Sequence, residues 1–203
     1  MMGLYQEHIV PRLVNLAMRN RHLAPYRERT IRLAEGRVLE IGVGSGMNLP
    51  LYTDRATEIL GLDPHPKLLA IASEKPRSIP SKLIEGSAES IPLDDATIDT
   101  VVSTWSLCSI RDLAAALAEI RRVVKPDGQL LFIEHGLAPE ISVQKWQNRL
   151  TPLWKRLAGG CHLNRPISSL IEGAGFRIAQ VQVGYMPGPK PMTFTYEGSA
   201  RPA

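Results

Sequence analysis

The sequence predicts an α/β fold, a mostly parallel sheet with helices on both faces and a C-terminal antiparallel hairpin. Three observations carry this. Short β-branched runs alternate with helix-periodic runs, the first two apolar runs end in glycines or in Asp-Pro, and two further strand-like runs near the C-terminus flank a Pro/Gly-rich loop. The 203 residues are 44% hydrophobic and 22% charged, the composition of one globular domain (1–203).

The elements follow in order. Residues 1–35 read as a helical cap in which Arg12, Arg19, Arg21, Arg27, Arg29 and Arg32 sit among leucines, with Pro11 and Pro25 dividing it into two short helices. The core, 36–203, starts with a strand at Arg37–Ile41. Strands follow at Glu58–Leu62, at Lys82–Ile84, at Ile98–Ser103 and at Gln129–Glu134. Helices fall at Pro66–Glu74 and at Arg111–Val124, where Leu113, Leu117, Ile120 and Val124 share one face. Two more are expected around Val143–Leu157 and Pro166–Ala174. The last strands lie near Phe176–Val183 and Met192–Glu197, making seven in all, with the loop YMPGPKP between them.

Several function classes are excluded early. No apolar run approaches the roughly 18 residues of a membrane span, and MMGLYQEHIVPRL has no signal-peptide core. Two cysteines are too few for a disulfide scaffold or a structural zinc site, and His8, His22, His65 and His162 show no ligand spacing, so no metal is expected. The net charge is +4, from 24 basic and 20 acidic residues. The N-terminal arginines are scattered among Glu7, Glu28 and Glu35 with few aromatics, which reads as a solvated helix face and not as a nucleic-acid surface.

The stretch Val38-Leu39-Glu40-Ile41-Gly42-Val43-Gly44-Ser45-Gly46 is the most informative. A strand entering a Gly-x-Gly-x-Gly turn lets backbone approach a ligand where side chains would collide, and a following helix would aim its amides there. Position 47 is Met47, so the dinucleotide fingerprint fails, and no Gly-Lys-Ser/Thr is present for a phosphate loop. Glu40, just before the turn, suits a cation. Asp63 ends the second strand, placed to accept hydrogen bonds from two ribose hydroxyls. A ligand with a ribose, a positive charge and no phosphate is S-adenosylmethionine.

With these residues in view, the chain from about Arg37 onward resembles the Rossmann-like class I S-adenosylmethionine-dependent methyltransferases. The resemblance implies that the loop Gly42–Gly46, with Ser45 and Asn48, wraps the amino-acid end of the cofactor, and that Asp63 and Pro64 flank the ribose. Glu85-Gly86-Ser87-Ala88-Glu89-Ser90-Ile91-Pro92-Leu93 resembles the family's adenine-holding turn. The family usually has Asp where Ser87 stands, so the Ser87 hydroxyl, the Ala88 amide and the Glu89 side chain are expected to share that contact. Thr104-Trp105 corresponds to the position under the reactive methyl. S-adenosylhomocysteine would be the product.

A narrower resemblance rests on Val101–Ser109 (VVSTWSLCS), on Phe132-Ile133-Glu134-His135, and on Trp146-Gln147, Leu150, Pro152, Trp154, Gly160-Cys161, Leu163 and Arg165. These are similar to the vertebrate methyltransferase-like thiol S-methyltransferases, membrane-associated proteins that methylate small thiols. This sequence departs from them in lacking a hydrophobic N-terminal anchor, and a cytoplasmic protein is expected.

Methyl transfer is an in-line displacement, so the protein mainly aligns the nucleophile and sheds water. A thiol acceptor reacts as thiolate. His135, at the end of the fifth strand, is the candidate base, with structural bracing as its other reading. Trp105 and Cys108 are further catalytic candidates, and Trp146, Cys161 and Arg165 are candidates for contact with the substrate. A buried cysteine also serves as a small hydrophobe, and Trp146 and Trp154, eight apart on one helix, also suit ordinary packing.

The sequence therefore predicts methyl transfer to a small-molecule acceptor, at thiol or sulfide sulfur. The alternatives are a phosphatidylethanolamine N-methyltransferase, whose basic N-terminal helices could lie on an anionic membrane surface, and a non-catalytic S-adenosylmethionine-binding module that grips a partner protein.

Overall fold

The computed structural model describes Met18 and residues 20–203, so the expected helix ahead of residue 18 lies outside the described residues. A 3₁₀ turn (Arg21–Leu23), capped by the Asn20 side chain accepting from the His22 amide at 3.0 Å, leads into α1 (Ala24–Ile31). Pro25 stands in the first turn of α1, where a missing N–H costs nothing.

The strands are β1 (Gly36–Ile41), β2 (Ala56–Asp63), β3 (Ser81–Glu85), β4 (Ile98–Thr104), β5 (Val124–His135), β6 (Phe176–Tyr185) and β7 (Phe194–Pro202). They form one sheet in the order β3-β2-β1-β4-β5-β7-β6. All neighbours are parallel except β7, which runs antiparallel to both β5 and β6. The chain builds outward from β1 to β3, then returns and builds from β4 the other way. The crevice between the carboxyl ends of β1 and β4 is thus the point where the strand order reverses, the usual place for a ligand in such sheets.

Alternating strand residues feed two cores. Leu39, Ile41, Leu60, Leu62, Val101, Leu130 and Phe132 pack against α3 (Leu113–Val123) and α5 (Ile167–Gly173). Val38, Ile59, Val102 and Leu131 face the other way, against Ile31, Ala34 and α2 (Pro66–Ser73). Helix α3 shows the cause most plainly. Its buried residues Leu113, Ala116, Leu117, Ile120 and Val123 recur at helical spacing, and Asp112 caps it by accepting from the Ala115 amide at 3.0 Å. Each fully buried Leu, Ile or Phe here contributes roughly 1.5–3 kcal/mol.

Helix α1 is pinned to β7 by a two-pronged ion pair. Arg29 donates to both carboxylate oxygens of Glu197, at 2.7 and 2.6 Å, and Thr30 adds a third bond at 3.0 Å.

Four local expectations change. The glycine loop is followed by a 3₁₀ turn (Leu49–Leu51), not by a helix. Between the glycine loop and β2, which begins at Ala56, this turn is the helical element, with Pro50 inside it. Lys125–Gly128, the stretch between the expected helix Arg111–Val124 and the expected strand Gln129–Glu134, is absorbed into β5 as a bulge, since the register jumps from Ile98↔Val124 to Thr100↔Gln129. The YMPGPKP loop closes in a short helical turn, α6 (Lys190–Thr193), and the last strand therefore starts at Phe194 instead of Met192 and runs on to Pro202. It is longer than expected because all nine of its residues find a partner in β6 and six of them also pair with β5.

Candidate active site

Gly42, Gly44 and Gly46 all have positive φ (+67°, +53° and +72°), which explains why three alternating glycines are needed. Their surroundings differ. A Cβ on Gly42 would strike the Ser106 hydroxyl, and one on Gly46 would meet Leu49 at 2.8 Å and Ala72 at 3.0 Å. A Cβ on Gly44 would meet only a carbonyl oxygen at 3.9 Å. The loop is therefore packed on both flanks and open at its middle glycine.

Behind it lies Glu40, 1% exposed. One carboxylate oxygen accepts from the Asn48 amide at 2.8 Å and the other from the Tyr52 hydroxyl at 2.9 Å. Burial nonetheless raises its pKa from 4.5 to about 7, against the pull of those two bonds and of the Arg27 charge. Asn48 also donates to the Thr104 hydroxyl at 3.0 Å, which links the loop to the end of β4, while its buried Oδ1 has no partner among the described residues. Burial and the Glu40 charge hold the Tyr52 phenol well above its usual pKa. The sequence reading missed Tyr52, although a tyrosine six residues past the last loop glycine is a signal of sorts.

Asp63 closes the other side. Its Oδ2 accepts from the Gly44 amide and its Oδ1 from the His65 amide, both at 2.9 Å. Burial raises its pKa despite these two bonds. Each oxygen keeps a lone pair for a ribose hydroxyl. Pro64 follows directly, before α2. In the turn after β3, where the sequence reading expects the adenine, Glu89 is committed to neighbours within the chain. Its oxygens serve the Ser87 hydroxyl at 3.2 Å and the Asp112 amide at 2.7 Å, and Ala88 packs into the core. Ser87 and Glu89 thus brace each other.

The end of β4 carries backbone strain. Trp105 adopts φ +53°, a conformation that a bulky residue holds only when its surroundings impose it. Its amide donates to the Ile133 carbonyl at 2.7 Å, its ring packs with Ile133 and Met186, and the Arg27 guanidinium lies 4.9 Å from the ring centroid.

The turn after Trp105 is organised by Glu134, which is fully buried. Oε1 accepts from the Ser103 hydroxyl at 2.7 Å and from the Ser106 and Leu107 amides at 3.0 Å each, while Oε2 accepts from the Cys108 amide at 3.2 Å. Burial raises its pKa and these four bonds oppose the rise. An acid directly after the apolar run Leu130–Ile133, still within the buried strand, is the signal that could have singled it out.

Glu134 delivers Cys108 to a cluster. The Cys108 and Cys161 sulfurs are 3.5 Å apart, and His135 Nδ1 stands 3.8 Å from the Cys161 sulfur. The catalytic candidates His135 and Cys108 and the substrate candidate Cys161 are thus brought together at the carboxyl edge of β4 and β5. His162 braces the turn from outside, its amide donating to the Cys108 carbonyl at 2.8 Å.

Two substrate candidates are placed otherwise. Arg165 donates to the Leu107 carbonyl and, at 2.6 Å, to the Ile110 carbonyl, so it clamps the same turn and is not a free cation for an anionic substrate. Trp146 is 55% exposed on α4 (Ile141–Leu157), whose buried residues are Val143, Gln147 and Thr151, while Trp154 is half-buried.

Residues 39–132 match a protein-family model described as a methyltransferase domain. The chain is 35% identical to the thiol S-methyltransferase TMT1B of Rattus norvegicus over 158 residues, 75% of this chain and 64% of the relative. It is 34% identical to the human TMT1B over 164 residues, 77% and 66%. The match to the phosphatidylethanolamine N-methyltransferase of Cereibacter sphaeroides, 35% identical, covers 49% of this chain and 51% of the relative. The chain thus spans just under two thirds of the two thiol S-methyltransferases. Among solved structures, a possible histamine N-methyltransferase from Thermotoga maritima superposes with a TM-score of 0.68 at 23% identity, over 97% of this chain and 99% of that one.

Family and fold imply S-adenosylmethionine as cofactor, and the methyltransferase domain fits it. The orphaned Asn48 Oδ1 and the buried Glu40 carboxylate suit an ammonium, the open face of Gly44 leaves room for it, and Asp63 suits the ribose. The described N-terminal arginines are partly committed inward, Arg27 beside Trp105 and Arg29 on Glu197. No helix among the described residues is long and apolar enough to cross a membrane.

Proposed function

We propose that the protein transfers the methyl group of S-adenosylmethionine to the sulfur of a small thiol or sulfide. The observation that carries this reading is the convergence of Cys108, His135 and Cys161 on the strand edge next to Trp105. This cluster is soft and largely buried, and the neighbouring Glu134 carboxylate is committed to four hydrogen bonds and so is not free for an amine acceptor. The relatives named thiol S-methyltransferases support the same choice.

The cofactor supplies a methyl group on a sulfonium, an activated leaving arrangement that needs no further acid. The chain's own residues do the rest. Asp63 and the Gly42–Gly46 loop fix the donor, with Glu40 and Asn48 at its cationic end. Trp105, held in its strained conformation, and the apolar residues around it exclude water from the acceptor's approach, so that alignment can contribute several kcal/mol. His135 is the nearest group able to take the proton as the acceptor becomes a thiolate. The proton leaves with the imidazole and passes to solvent.

The test is a competition with labelled donor among sulfide, small alkyl thiols, amines and phosphatidylethanolamine vesicles. Labelled thioethers are expected. Label only in lipid or amine would overturn the thiol reading.

A further inference from the structure

Cys108 and Cys161 are buried, and their sulfurs and His135 Nδ1 all lie within 4.8 Å of one another. A zinc-class cation held at about 2.3 Å from sulfur and about 2.0–2.1 Å from imidazole, with tetrahedral angles, sets its ligands roughly 3.8 Å apart (sulfur to sulfur) and roughly 3.5 Å apart (sulfur to nitrogen). The observed separations are 3.5 Å and 3.8 Å, each within a few tenths of those values. A disulfide would need the sulfurs at about 2.05 Å, and it would have no use for the imidazole.

The three groups come from separate parts of the chain, and each is anchored on its own. Cys108 is held by Glu134 and by the His162 amide, Cys161 by its amide donating to the Ala158 carbonyl at 3.2 Å, and His135 by pairing with Thr195 of β7. Such independent support is how metal ligands are pre-positioned. Two sulfurs and an imidazole suit zinc and other soft or borderline metals, not magnesium or calcium.

We propose that Cys108, His135 and Cys161 form a binding site for a zinc-class divalent cation with its fourth position open to the acceptor thiol. The clause about the fourth position rests on the thiol reading given above; the metal site does not. Three protein ligands and one open position is the arrangement of catalytic rather than structural zinc. An acceptor R–SH binds there as thiolate, its proton passing to solvent. The thiolate sulfur forms a bond to the methyl carbon of the sulfonium. The donor's own carbon–sulfur bond breaks, and its electron pair stays on the sulfur of S-adenosylhomocysteine. The neutral thioether is a weaker ligand and leaves, and water returns. One proton is released per turnover. In metal-free protein His135 takes that proton; with the metal bound its Nδ1 is a ligand and the cation does the acidifying.

The experiment uses the full chain, reduced and stripped with a chelator, then titrated with Co²⁺. One equivalent is expected to give the visible bands of a tetrahedral site and a near-ultraviolet sulfur-to-cobalt band, both abolished by Zn²⁺. Cys161→Ala should weaken cobalt binding by at least ~10-fold, and circular dichroism would verify that the variant folds. Wild-type protein that is folded and reduced yet retains neither metal would overturn the proposal, as would a Cys108–Cys161 disulfide in protein that still binds donor. Adding a small alkyl thiol should shift the cobalt bands. Bands present but indifferent to thiols, in protein that methylates an amine or lipid, would uphold the metal site and sink the thiol reading instead.

Discussion

The Gly44 amide donates to Oδ2 of Asp63 at 2.9 Å, which ties the turn after β1 to the end of β2. One carboxylate thus shapes the glycine loop and, in the proposed reading, would also hold the ribose. Asp63→Ala should weaken S-adenosylmethionine binding by on the order of 1.5–3 kcal/mol. It should also lower the melting temperature, because the Gly44 and His65 amides lose their acceptor. Calorimetric affinity equal to wild type would show that the ribose lies elsewhere.

The glycines of the loop should respond differently to alanine. Gly42→Ala combines positive φ with a collision against Ser106, and is expected to destabilise the fold in urea by ~2 kcal/mol or more. Gly44→Ala meets open space, so its cost to stability is the backbone term alone, about 1–2 kcal/mol. Its methyl group would stand where the donor should lie, and donor affinity should fall more than stability does. Similar affinity losses for equal stability losses at both positions would argue against a donor beside Gly44.

Donor binding should depend on pH through Glu40, whose pKa burial pushes up to about 7. The sign follows from the proton. In the free protein a raised pKa favours the folded state fully below the ordinary 4.5, and that contribution is lost as pH rises through about 7. A cationic donor reverses this preference by favouring the carboxylate. Below about pH 7 its binding should expel a proton, and affinity should rise with pH by up to ~10-fold per unit before levelling. Calorimetry in buffers of different ionisation enthalpy would detect the proton, and Glu40→Gln should flatten the profile. A flat wild-type profile would mean that the cationic end sits away from Glu40.

Much of this was legible in the sequence. The glycine spacing, Glu40 and Asp63 required only local reading, because β1 and β2 are short strands with clear ends. What escaped depends on distant pairing. The bulge in β5 exists because β4 and β5 must stay in register past Lys125–Gly128, and the length of β7 is set by partners on both sides. Arg165 looked like a substrate cation because nothing local reveals the carbonyls of Leu107 and Ile110, more than fifty residues away. Glu134 was missed for the same reason, since its four donors lie 26 to 31 residues before it.

Glu134 therefore yields a prediction of its own. Glu134→Gln keeps the size but sets a donor where a backbone N–H must be accepted. Loss of stability on the order of 2 kcal/mol is expected from chemical denaturation. Turnover should fall further than donor affinity, because the turn bearing Cys108 is displaced while Asp63 and the glycine loop are not. Unchanged stability would mean that the turn holds its shape without the carboxylate.

The most direct test of the account is the identity of the methylated product. Purified protein, labelled S-adenosylmethionine and a small alkyl thiol should yield the labelled methyl thioether and S-adenosylhomocysteine in equal amounts, by mass spectrometry. Absence of the thioether, with donor bound and an amine or phosphatidylethanolamine methylated in its place, would contradict it.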